Sequence, residues 1–179
     1  MKQIFLSTVI ISLIALGIST FAVTIGEKPP VEYINNLKNC KAGTIKVSNS
    51  VYTEYTIKGK LPDGRCEVEI LSYTNFADPE VYKGFIGMMK VFGGDKVKPE
   101  TLPTQAQMIE QGKKEKNIDN CKFTPEQRLA LYNAYQKNDG TNGCTTDKNG
   151  SQKCTFSTDN MSSYDKLMLN YTNGTCIQK

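Results

Sequence analysis

The chain of 179 residues contains no histidine. That absence removes Ser-His-Asp and Cys-His nucleophilic catalysis and any histidine-ligated metal. Close cysteine pairs are missing as well. The nearest two of the six cysteines, Cys144 and Cys154, have nine residues between them. Neither a Cys-x-x-Cys zinc knuckle nor a dithiol redox motif can therefore be built. There is no G-x-G-x-x-G or phosphate-cradling glycine loop, which leaves no nucleotide signature. Charge of one sign is also scarce. A net charge of +4 is too mild to argue for nucleic acid or an anionic membrane, and the densest basic run, Lys113-Lys114-Glu115-Lys116, reads as a solvated helix face.

What is present starts at the N-terminus. Lys2 precedes a nearly apolar stretch from Ile4 to Gly17, followed by small and polar residues to Ala22. Thr20 and Ala22 suit the −3 and −1 positions of a signal peptidase site, so cleavage is expected after Ala22. The competing reading is an uncleaved anchor, because the stretch approaches the length of about 20 residues that a membrane span needs. Ser7, Thr8, Ser12, Ser19 and Thr20 dilute it, and no stop-transfer cluster of Lys or Arg follows. The rest, 23–179, is expected to be one soluble exported domain, in the periplasm, at the cell surface or outside the cell.

All six cysteines follow the apolar segment, and an even count in an exported chain reads as a disulfide framework. One pairing follows from register. Lys148-Asn149-Gly150 suits a three-residue hairpin loop, which sets Cys144 opposite Cys154 within disulfide reach. Among the other four, proximity selects Cys40 with Cys66 and leaves Cys121 with Cys176.

The predicted fold is α+β: a small antiparallel sheet packed by two or three helices, stapled by disulfides, with a hairpin-rich C-terminal segment over 143–179. Strands are predicted at Thr44–Val47, Val51–Lys58 and Arg65–Leu71, where β-branched and aromatic residues concentrate. A four-residue loop, Leu61 to Gly64, would place Gly59 opposite Cys66, Ile57 opposite Val68 and Lys58 opposite Glu67; a two-residue Asp63-Gly64 turn has the same parity and is equally allowed. Either way Cys66 faces the core. A short helix is predicted after Pro29-Pro30, with Val31, Ile34 and Leu37 on one side. Asp78-Pro79 predicts a second helix to Phe92, buried along Val81, Phe85, Met88 and Phe92 with Tyr82, Ile86 and Met89 widening the stripe; a core helix is the expected reading and a methionine-rich groove binder the alternative. Thr104 to Gln107 fits a capping box before an exposed helix. Thr124-Pro125-Glu126-Gln127 opens a helix to Lys137, its core face on Leu129, Tyr132 and Tyr135 or on Leu131 and Tyr135. Asn173-Gly174 predicts a hairpin turn between strands at Leu167–Thr172 and Thr175–Ile177. Asp63-Gly64-Arg65-Cys66 and Asn173-Gly174-Thr175-Cys176 echo each other, which places both cysteines on the return strand of a hairpin.

The chemistry left to a chain without histidine or free thiols is that of paired carboxylates. Glu54, Glu67, Glu69, Asp78, Glu80 and Glu126 are the candidates. Glu67 and Glu69 alternate on an outer strand face beside lysines, and the others sit in a strand or in helix first turns, where capping and the dipole account for them. Asp139 to Asn142 and Asp147 to Gly150 resemble calcium loops faintly but lack the later bidentate glutamate, so turn chemistry explains them better. Asn149, Asn160, Asn170 and Asn173 each open an N-x-Ser/Thr triplet. No catalytic, cofactor-binding or metal-binding residue is expected. The leading functional expectation is a non-enzymatic exported protein that binds or inhibits a protein or cell-surface partner, without nucleic acid, and with membrane contact only through an uncleaved N-terminal segment. The alternatives are a histidine-free hydrolase and a structural cell-envelope component.

Overall fold

A computed structural model describes residues 28–93, 98–140, 143–146, 152–155, 158–172 and 174–178. The chain enters helix α1 (Val31–Asn39) through Pro30, with Glu32 in its first turn and Lys38 in its last, where each charge complements the helix dipole. Tyr33, Ile34 and Leu37 are its buried face, while Val31 is 56 % exposed. The expected stripe is thus rotated: Tyr33 replaces Val31, because the i, i+1, i+4 set faces the sheet more squarely. Cys40 ends the helix in the left-handed conformation, and its amide donates to the carbonyls of Asn36 and Leu37. Glycine is the usual residue there; a cysteine is held in place by its bond to Cys66.

Strands β1 (Gly43–Ser48), β2 (Val51–Lys60), β3 (Cys66–Thr74) and β4 (Asn117–Phe123) form an antiparallel sheet, which β7 (Cys176–Gln178) completes in the order β1-β2-β3-β4-β7. Ile57 stands opposite Val68, as the alternation predicts, but Gly59 stands opposite Glu67 and Lys60 opposite Cys66. The register shifts between Ile57 and Gly59, and Gly59 has φ 119°, open to glycine but strained for a side chain. The connecting loop is therefore odd, 61–65, and the bulge supplies the extra residue that keeps Ile57, Cys66 and Val68 on one face. Lys58 reaches Glu69 at 2.8 Å and Glu67 only at 4.0 Å.

The inner face of the sheet carries Tyr55, Ile57, Cys66, Val68, Cys121 and Phe123. Three helices cover it: α1, α4 (Pro125–Gln136) and α5 (Ser163–Thr172). In α4 the buried residues are Arg128, Leu131 and Ala134, and Leu129 is 49 % exposed, so the Leu131 alternative describes the core face. The α4 capping box is complete: Thr124 N–H donates to Gln127 Oε1 at 2.8 Å, and Gln127 N–H donates to Thr124 Oγ1 at 3.2 Å. Leu167–Thr172 is the second half of α5, not a strand. Only the return half of the expected C-terminal hairpin exists, as β7. Helical spacing of Tyr164, Leu167, Met168 and Tyr171 against the core outweighs the β-like composition.

The largest departure concerns α2 (Pro79–Gly93), expected to be a core helix. It has no fully buried residue. It belongs to an excursion between β3 and β4, with a 3-10 turn at Pro99–Thr101 and α3 (Gln105–Lys114). The place given to it on the sheet is taken by α1 and α5. In α3 the Thr104 capping box is present, and Met108 and Gly112 are buried. Gly112 is a close-approach site, since a Cβ there would lie 2.8 Å from the Thr74 carbonyl oxygen.

Cys40–Cys66 joins α1 to β3, and Cys121–Cys176 joins β4 to β7 across directly opposed positions. A separate two-stranded sheet, β5 (Gly143–Thr146) with β6 (Gln152–Thr155), sets Cys144 opposite Cys154. The side chains of that pair lie outside the described residues. Two disulfides in an α+β domain fit an oxidising, exported environment.

Candidate interaction surface

The carboxylates singled out from the sequence are spread over the molecule. Glu54 accepts from Tyr52 Oη at 3.1 Å and pairs with Lys46 at 3.2 Å. Glu69 and Glu67 flank Lys58 on the same outer sheet face. Asp78 accepts from the Glu80 amide at the start of α2, and Glu80 pairs with Lys83. The hydroxyl of Thr124 holds the Glu126 carboxyl below its ordinary range. Each acid has a structural partner, and the set does not converge on one cleft. Asp139, offered above as part of a loop, accepts from the Ser163 amide at 2.7 Å and so caps α5 from the end of α4. Those contacts with Ser163 keep its carboxyl below the ordinary value. The loop at Asp147 to Gly150 lies outside the described residues. Among the described residues no group of three or more Cys, Asp or Glu is placed to hold a metal.

Burial displaces four titrations upward, those of Tyr33, Tyr52, Asp119 and Tyr164. Desolvation raises the Asp119 carboxyl, which sits on the inner face of β4 between Ile70 and Gln178. It also raises the fully buried Tyr33 phenol, whose ring is tilted 33° against that of Tyr55 with centroids 4.4 Å apart. A concavity along Ala106, Gln107, Glu110, Gln111 and Lys114 is an open groove on the exposed side of α3.

The surface feature that stands apart is α2. Its first half is held to the body: the Phe85 ring packs edge-on against Phe76 at 5.3 Å, and Tyr82 Oη donates to the Pro103 carbonyl at 2.9 Å. Val81, Tyr82, Phe85, Ile86 and Met89 are half-buried on that side. The second half turns large apolar side chains to solvent, with Met88 51 %, Val91 77 % and Phe92 80 % exposed. Helical geometry places these three on a ridge next to Gly84, whose missing side chain faces open space. Lys83 and Lys90 share the narrow polar strip on the far side. A helix apolar around most of its circumference is normally buried on more than one side, and here the body covers one. Sequence reasoning placed Met88 and Phe92 inward; the usable signal was the width of the apolar arc, too broad for a single packing face.

No family model, curated protein or solved structure matches the chain.

Proposed function

We propose that the protein is an exported, disulfide-stabilised binding module without catalytic activity, released by cleavage after Ala22, whose contact surface is the outward ridge of α2. The observation that carries this reading is the exposure of Met88, Val91 and Phe92 together at one end of a helix anchored at the other. Scattered exposed apolar residues are ordinary, but adjacent ones on a rigid element mark contact sites. The structural pairing of the candidate carboxylates supports the non-enzymatic part, and the disulfides support the exported setting.

A photo-activatable benzophenone side chain at position 91 tests the reading in the exporting cell. Irradiation should give an adduct from position 91 and none from position 46, an exposed site on the sheet face. Equal yields at both positions would remove the basis for the proposal.

A further inference from the structure

We infer that Cys144 and Cys154 form a third disulfide, which a dithiol reductant opens without unfolding the domain, so that the β5–β6 hairpin is a redox-set element. Register is the first argument. The two cysteines stand directly opposite each other in the antiparallel β5–β6 ladder. Cys121 and Cys176 hold the same relation between β4 and β7, and they are bonded. Opposed residues of an antiparallel pair lie within the Cα separation that a disulfide spans.

Support is the second argument. The fold around them sustains the two described bonds: Cys66 and Cys121 are fully buried, and Cys40 and Cys176 pack with the same core. Strands β5 and β6 instead make a sheet of their own, four register pairs long, which no third strand joins among the described residues. From Gly140 to Thr155 the sequence contains no alanine, aliphatic, methionine or aromatic residue. Apolar burial cannot hold this hairpin, and a lone two-stranded ribbon is marginal in water. A structure that does little to keep two sulfurs together leaves their bond easy to reduce.

Confinement is the third argument. The chain on either side of the hairpin is already clamped. Asp139 accepts from the Ser163 amide at 2.7 Å, and Gly140, at φ 97°, passes so close to Ser162 that a Cβ would lie 2.6 Å from its amide nitrogen. That neck stays fixed whether the bond beyond it is closed or open. In the reaction a reductant thiolate attacks one sulfur and expels the other as a thiolate; the second thiol of the reductant then resolves the mixed disulfide. Two electrons and two protons pass to the protein, and the dithiol leaves as its own disulfide. With the bond open, β5 and β6 separate and are as free in the folded state as in the unfolded one. The global melt therefore barely registers the loss. Reduction stays local.

The test titrates the full chain, recovered from the compartment in which it accumulates, with dithiothreitol under native conditions. Thiols are alkylated and mapped by mass spectrometry at each step. Cys144 and Cys154 should become labelled together, at a concentration about tenfold or more below that needed for the other four cysteines. At that point the melting temperature should stay within about 3 °C of the oxidised protein's. Amide exchange in 143–146 and 152–155 should meanwhile accelerate about tenfold or more. Cys144→Ser with Cys154→Ser should show the same local exchange and the same melt without reductant. Labelling of Cys144 and Cys154 before any reductant is added, or a bond from either to another cysteine, overturns the pairing and the proposal with it. Labelling of the two only alongside the other four, or after Cys121 and Cys176, overturns the selective reduction. A larger fall in melting temperature on selective reduction overturns its confinement to the hairpin.

Discussion

Arg128 is a cation with 5 % exposure and no acid partner among the described residues. Its Nη1 donates to the Lys38 carbonyl at 3.0 Å, at the C-terminus of α1 where the dipole favours a cation, but its Nε has no partner among the described residues. Two opposed effects therefore meet in one side chain. The charged hydrogen bond stabilises, and the desolvated Nε costs a similar amount. The aliphatic stem fills space between α1 and α4 in either case. Arg128→Met should accordingly change unfolding free energy by no more than about 1 kcal/mol. Arg128→Ala, which also removes the stem, should cost about 2–4 kcal/mol. Urea denaturation of both variants checks this, and equal losses would show that the charge, not the packing, matters. Asp139 supplies a second test at this scale. Its carboxyl is held low by the Ser163 amide and hydroxyl. A lowered acid contributes stability above its ordinary value of 3.8 and loses it as pH falls through the folded value. Asp139→Ala should therefore lower the melting temperature at pH 7, and the gap from wild type should close as pH falls through the lowered folded value. A gap independent of pH would point to lost packing instead.

At the scale of elements, legibility followed the strength of local signals. The β2–β3 hairpin was readable because alternation fixes the face of every residue, and Ile57 does meet Val68. The bulge at Gly59 was not, since an even loop and an odd loop plus one extra residue satisfy the same alternation. Strand β4 was missed altogether: Asn117, Asp119 and Asn120 are polar, and only pairing with β3 on one side and β7 on the other makes them a strand. Helix α2 was legible as a helix, from Asp78-Pro79, but not as an outward one. Its periodicity says that a face is apolar, not which body covers it. The excursion holding α2 and α3 meets the sheet at Gly112, where any side chain would collide with the Thr74 carbonyl oxygen. Gly112→Ala should therefore cost about 1–3 kcal/mol despite alanine's better helix propensity, because backbone has to move. A gain in the urea midpoint would show that α3 approaches β3 less closely than described.

At the scale of the whole molecule, the two described disulfides close loops that do not overlap in sequence, 40–66 and 121–176. In the loop-entropy model their contributions to the unfolded state are then independent, about 3.5 and about 4 kcal/mol. A domain of this size is stable by about 5–15 kcal/mol in total. Reduction of both bonds thus removes from about half of the margin to all of it, and the two ties differ in what they hold. Cys40–Cys66 fixes α1 against the sheet at a left-handed residue that glycine would otherwise occupy. Cys121–Cys176 fixes β7, three residues long, to β4. Replacing Cys121 and Cys176 by serine should therefore leave a folded domain whose C-terminal strand exchanges amide hydrogens rapidly, since only three register pairs remain. Replacing Cys40 and Cys66 should lower the cooperative melt of the whole core, because α1 contributes Tyr33, Ile34 and Leu37 to it. Hydrogen exchange and calorimetry on the two double variants separate these outcomes. Both variants should melt at lower temperature through the lost loop constraint, and rapid exchange at 176–178 well before global unfolding is expected in the first alone; exchange of 176–178 only with the global melt would mean that β7 belongs to the cooperative core.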